Sequence, residues 1–180
     1  MEESLWPVIM ELARPCLNTC HNQRHTEIAL DFARILLAVE PGQREVVIPA
    51  VILHDVGWSC VPEDLHLKAF GIHPDRRLNR IHETEGVRLA GEILRRTSYP
   101  ERWRAEILAI IDRHDSLPTA VSSNDAVVKD ADKLWRFSPE GFAVDSARFR
   151  MNPADWWQQL AAFLDEWMLT VSFLLSISIK

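Results

Sequence analysis

Cysteine is scarce in this chain. Cys16, Cys20 and Cys60 are the three in 180 residues, too few and odd in number for a disulfide framework. A long apolar run is missing too: residues 167–179 are nearly free of charge but span roughly 13 positions, short of the ~20 needed to cross a bilayer. That stretch reads as core or partner-facing, and no membrane partner is expected. Nor is there an excess of basic residues. Lys and Arg number 20 against 26 Asp and Glu, a formal net charge of -6, which argues against broad electrostatic capture of a nucleic-acid polymer or an anionic membrane. Glu2 and Glu3 stand where a secretory signal would carry positive charge. With few cysteines, this makes a reducing cytoplasm the expected location. There is no internal repeat, low-complexity tract, linker or hairpin signature.

What remains is a sequence built to fold, with 47% apolar and 26% charged residues and a length suited to one domain. His25, Ile28, Ala29, Phe32, Ala33 and Leu36 recur at helical spacing across residues 22–38, which end at Pro41-Gly42. Residues 46–54 are apolar enough for a buried strand or helix; the grouping of Ala50, Val51, Leu53 and His54 and the stop at Gly57 favour a short buried helix. Residues 59–80 lack a clear period and read as a long loop with a helical turn near 63–69. Two further stripes follow, His82, Gly86, Leu89, Ala90, Ile93 and Leu94, then Trp103, Ile107, Ile110, Ile111 and His114. Residues 124–137 predict a helix capped by Asn124, and Asn152-Pro153 opens a last one running through Met168. Five or six helices and no hairpin define an all-α, single-domain helical bundle.

Four distant segments place metal-ligand side chains on helix faces or ends: His25, the pair His54-Asp55, His82 with His114, and Asp130-Ala131-Asp132. A single histidine on an apolar helix is more often a hydrogen-bonded core group. Recurrence changes that balance, because His25, His82 and His114 each fall in register with an apolar stripe and His54-Asp55 ends the most apolar segment. Inward-facing Asp55 and Asp132 need partners, since an uncompensated buried carboxylate is costly. A bound cation supplies one. Imidazole and carboxylate together suit Fe, Mn, Co, Ni or Zn, with Mg favoured by oxygen donors alone.

The ordered set of His25, His54-Asp55 within VILHDVG and Asp132 within VKDADKL resembles the HD-domain metal-dependent phosphohydrolases. The pattern spans residues 25–132, and the further histidines of two-metal members are matched by His82 in HETEG and His114 in IIDRHD. The resemblance implies a bundle of the HD type, with its core at about residues 22–137, a helical extension at about 138–180, and a metal site in the core. It implies one or two divalent ions per chain. His25, His54, Asp55 and Asp132 would hold the first, and Asp55 would bridge to a second held by His82 and His114. Asp55 and Lys133 would be the catalytic residues, Asp55 by placing the attacking water and Lys133 by meeting substrate phosphate. Asp130 would stand behind the ligands or stabilise its helix. Two departures set the chain apart from the cyclic-dinucleotide phosphodiesterases of that group, Trp58 in place of lysine and Asp115 in place of a histidine after His114.

The expected activity is hydrolysis of a phosphate ester, with a nucleotide or related small phosphorylated molecule as substrate. Arg76, Arg77 and Arg80 in the loop, together with Lys68, Lys129, Lys133 and Arg136, are the candidates for gripping its phosphate. Two other classes fit the same residues: a di-iron oxygenase on this fold, and a non-catalytic metal-binding or partner-binding module. Cys16, Cys20 and His21 lack the partners for a closed zinc site. Four of the seven tryptophans lie between Trp135 and Trp167 at spacings that fit helix packing or a homodimer contact.

Overall fold

A computed structural model describes residues 2–69 and 75–170. Among these residues there are nine α-helices, several short 3-10 turns and no strand, the all-α bundle that the periodicities predict. The helices are α1 (Trp6–Leu17), α2 (Asn22–Leu36), α3 (Arg44–Leu53), α4 (His66–Ala69), α5 (Arg76–Arg96), α6 (Glu101–Ile111), α7 (Ser123–Leu134), α8 (Pro139–Arg148) and α9 (Pro153–Trp167).

The centre is α3, where every residue from Val46 to Leu53 is buried. A helix that is apolar on all sides must be surrounded, and α1, α2, α6 and α7 pack around it. Pro49 sits inside α3 and has no N–H to offer Glu45 four residues earlier. The orphaned Glu45 carbonyl instead accepts a 2.7 Å hydrogen bond from the buried hydroxyl of Tyr99. The segment after α5 thereby repairs the defect in the central helix.

Some boundaries differ from the sequence expectation. The helix bearing His82 begins at Arg76, because the Asp75 side chain accepts the Arg77 N–H at 2.9 Å and caps it; Arg76, Arg77 and Arg80 are therefore helical and do not belong to the loop. Ser122, not Asn124, caps α7, accepting the Asp125 N–H at 3.2 Å. Asn124 ties three elements together, accepting from the Gln43 N–H at 2.7 Å and donating to Glu106 at 2.9 Å. Two helices carry no signal that periodicity detects. Pro7 and Pro15 interrupt the pattern of α1, and α8 buries only Gly141 and Asp145, so it shows no apolar stripe. Among the described residues no single helix is long and apolar enough to cross a membrane. Of the apolar tail, residues 171–180 lie outside the described ones.

The element that positions the site is the 3-10 turn Val56–Cys60, which leaves α3 just after His54-Asp55 and runs against α5. A Cβ on Gly57 would stand 1.9 Å from the His82 carbonyl oxygen and 2.6 Å from the Gly86 nitrogen, so only glycine permits this backbone crossing. Substituting Gly57→Ala must push α5 away. Overpacking of this kind costs about 1–3 kcal/mol, equivalent to a fall in Tm of roughly 2–12 °C for a chain of this size. A thermal melt followed by circular dichroism measures it, and a melt identical to that of the parent protein would refute the close crossing.

Candidate metal centre

Each ligand candidate reaches the centre from a different element. His25 lies one turn inside α2, on the face shared with Ile28, Ala29 and Phe32. His54 follows the last residue of α3, and Asp55 opens the 3-10 turn. His82 is on α5, His114 lies just beyond α6, and Asp132 is near the end of α7. The structure brings all six together in two trios, His25–His54–Asp132 and Asp55–His82–His114, with the ligand atoms in each trio within 4.8 Å of one another.

The distances are those of groups converging on a point. In the first trio the Nε2 atoms of His25 and His54 are 3.0 Å apart, and Asp132 Oδ1 lies 3.2 Å from the former and 3.6 Å from the latter. In the second, the Nε2 atoms of His82 and His114 are 3.1 Å apart. Asp55 faces both: its Oδ2 is 3.3 Å from His25 and 3.5 Å from His54, while its Oδ1 is 3.6 Å from His82 and 3.8 Å from His114. One carboxylate thus offers one oxygen to each histidine pair.

The tautomers show what this arrangement suits. His54 Nδ1 donates to the Val51 carbonyl at 2.7 Å and His114 Nδ1 to the Ile111 carbonyl at 2.9 Å. A carbonyl only accepts, so both Nδ1 atoms carry hydrogen and both Nε2 lone pairs, in the neutral rings, point into the cluster. Two facing imidazole nitrogens at about 3 Å need a proton or a cation between them. A divalent ion in each trio would satisfy four imidazoles and two carboxylates together, and the donor set is the mixed nitrogen and oxygen one that Fe, Mn, Co, Ni and Zn accept. The residues fit such a group.

The electrostatics point the same way. Burial opposes a charged His114, but Asp115, Asp55 and Asp132 outweigh it and push the ring up to about 10. His54 is raised against its burial by Asp55 and Asp132. His82 is held well below the ordinary imidazole range by burial and by neighbouring His114. Burial would raise Asp55 and Asp132, yet the surrounding histidines hold both carboxyls below their usual range.

Neighbouring residues hold the ligands in place. The Trp58 ring stacks on His82 with centroids 4.2 Å apart and planes at 12°, and its Nε1 donates to Asp55 Oδ1 at 3.1 Å. Trp58 therefore holds two members of the second trio, His82 and Asp55. Trp135 meets His25 edge-on at 4.9 Å. Glu83, fully buried on α5, accepts the backbone N–H groups of Asp115 at 3.2 Å and Ser116 at 2.8 Å, fastening the end of the His114 segment. Periodicity does not single out Glu83, although a carboxylate next to His82 in HETEG is a usable signal. Asp115, in sequence only a departure from the two-histidine pattern, has its Oδ2 3.7 Å from His82 Nε2 and 3.8 Å from His114 Nε2, the range of Asp55 Oδ1.

A cavity of about 260 Å³ opens beside the trios, lined by His25, Asp55, Asp115 and Asp132, by the cations Lys133, Arg136 and Arg148, and by Trp58, Trp135 and Trp167. Lys133 is one of the lining cations; its Nζ donates to the Trp167 carbonyl at 3.0 Å, and burial lowers its pKa. Asp130 accepts the N–H groups of Leu169 at 2.9 Å and Thr170 at 2.7 Å, so it anchors the chain beyond α9. Of the other phosphate candidates, Arg136 also lines the cavity and the rest fall elsewhere. Lys129 is buried against Asp125 at 3.2 Å and the Thr119 carbonyl at 2.8 Å, and Arg80 is held by Glu83 and by Asp112 at 3.0 Å. Arg76, Arg77 and Lys68 are exposed. His66 Nε2 donates to the Val61 carbonyl at 2.8 Å and its Nδ1 lies 2.9 Å from the Cys20 sulfur, whose thiol donates to Glu63 at 3.6 Å.

Because His114 Nδ1 keeps its hydrogen on Ile111, the proton that titrates is the one on Nε2, which a metal would displace. With the folded value near 10, raised above the ordinary imidazole, the charged ring stabilises the metal-free protein fully below about pH 6.5, and this contribution fades as pH climbs toward 10. Metal binding at pH 7 should release roughly one proton or more per chain, and affinity should rise with pH. Calorimetric titration with Mn or Zn in buffers of different ionisation enthalpy counts the protons; zero release would contradict the charged state of His114.

Residues 22–136 match the family model of the HD domain. No curated protein and no solved structure gives a significant match. The matched segment holds all six ligand candidates and Lys133, and covers well over half of the sequence: the chain is a member of the HD domain family.

Proposed function

We propose that this protein is a metal-dependent phosphohydrolase that cleaves a small phosphate ester, a nucleotide or a related metabolite, with water as the nucleophile. The observation that carries the reading is Asp55, whose two oxygens face two separate histidine pairs. Two ions held in this way would acidify a bound water and neutralise charge on the phosphoryl oxygens.

The protein's own groups supply the rest. His25, His54 and Asp132 would hold one ion and His82 and His114 the other, with Asp55 setting their separation. Asp115 Oδ2 is near enough to His82 and His114 to add a further oxygen to the second position. Lys133 projects into the cavity with one of its hydrogens on the Trp167 carbonyl, leaving others for a substrate oxygen. The cavity, at about 260 Å³, lies at the small end of ligand pockets. It suits a metabolite better than a polymer. Trp58, Trp135 and Trp167 offer flat apolar wall for a base or similar ring.

Elemental analysis of the purified protein should find two transition-metal ions per chain, and His82→Ala should lose one of them. A screen of phosphorylated metabolites with Mn, Co, Ni, Fe and Mg, run with and without oxygen, should find hydrolysis that persists anaerobically. Asp55→Asn should lower kcat by on the order of 100-fold or more. Turnover that requires dioxygen, or a fully metal-loaded protein inert to every phosphate ester, would refute the proposal.

A further inference from the structure

Outside the matched HD segment, α8 places a charged cluster on the cavity wall. Gly141 lets this helix approach closely: a Cβ there would stand 2.1 Å from the Trp135 carbonyl oxygen. One turn on, Asp145 is fully buried and meets two guanidinium groups, Arg148 Nη1 at 2.8 Å and Arg136 Nε at 3.2 Å. Both arginines line the cavity shared with Asp55 and Asp132. Their side chains are only 14% and 24% exposed, so their charge is turned into the wall and away from bulk water. Arg148 Nη2 also donates to the Cys20 carbonyl at 3.4 Å, and the Arg136 guanidinium lies 5.6 Å from the Trp167 ring centroid.

Two guanidinium groups thus converge on one buried carboxylate, and Lys133 lies on the same wall. A fork of N–H donors oriented by a buried carboxylate recognises phosphate oxygens with little loss of side-chain freedom.

We infer that Arg136 and Arg148, oriented by Asp145, form a subsite for a phosphate group other than the one cleaved, so that the substrate carries two or more linked phosphates. This rests on the phosphohydrolase reading and names its substrate class. The metal-facing end of the cavity holds the scissile phosphate, the arginine end holds its neighbour, and Lys133 stands on the wall they share.

The test uses the full chain loaded with the metal it retains on purification, titrated by calorimetry with inorganic phosphate and inorganic diphosphate, with metal content measured before and after. The parent protein should bind diphosphate about tenfold more tightly than phosphate, and Arg148→Lys and Arg136→Lys should each weaken diphosphate about tenfold. Both should leave phosphate affinity and metal content unchanged. If Arg148→Lys loses its cooperative melt, the Asp145→Asn/Arg148→Gln double variant removes both charges together, and the same loss is expected. Folded variants that bind diphosphate as the parent does would overturn the subsite, as would equal weakening of phosphate and diphosphate. Absence of metal from the parent protein would overturn the phosphohydrolase reading instead, while an arginine-dependent preference for diphosphate would still uphold the subsite.

Discussion

Asp55 turns one carboxylate toward four imidazoles, and most of the neighbouring structure serves to keep it there. Its position follows from the end of α3 and the tight 3-10 turn that Gly57 allows against α5. Were that crossing wider, Asp55 Oδ1 could not stay 3.6 Å from His82 while Oδ2 stays 3.3 Å from His25. The two trios would then have no carboxylate facing both. A carboxylate buried among neutral groups would be costly; the histidines around Asp55 instead hold its carboxyl below the usual range.

The same constraint governs the surroundings. Trp58 holds His82 by stacking and Asp55 by a hydrogen bond, and Glu83 fastens the segment that carries His114. Carbonyls at Val51 and Ile111, the third residue before each histidine, set the tautomers of His54 and His114. Such partners fix ring orientation and ligand basicity. The central helix, despite its internal proline, is kept intact by Tyr99.

The C-terminal part of the described chain closes the cavity and does not merely trail from it. Asp130, about one turn before Lys133, captures the backbone after α9, and this brings Trp167 onto the wall beside Lys133 and Arg136. Neighbouring residues of α7 therefore divide their tasks by helical direction: Asp132 turns to the histidines, Asp130 to the chain end and Lys133 to the cavity.

Much of this architecture is legible in the amino-acid sequence. The apolar stripes determine which faces of α2, α5 and α7 turn inward, and local periodicity with residue chemistry nominates the four segments that carry the ligand candidates; the resemblance to the HD domain is what picks Asp132 over Asp130. Helix α8 and the roles of Arg148, Glu83 and Asp145 are not legible there, because a helix that buries only a glycine and an aspartate has no hydrophobic signature and a charged residue looks solvated until its partner is known. Ser122 and Asn124 both favour cap positions, and only their surroundings decide between them. The sequence by itself determined which side chains could hold a metal. Tertiary structure alone decided that three cations line one wall, and it supplied the distances at which Asp55, a bridge only by resemblance in the sequence, faces both histidine pairs, since both depend on spacings between helices that no local pattern records.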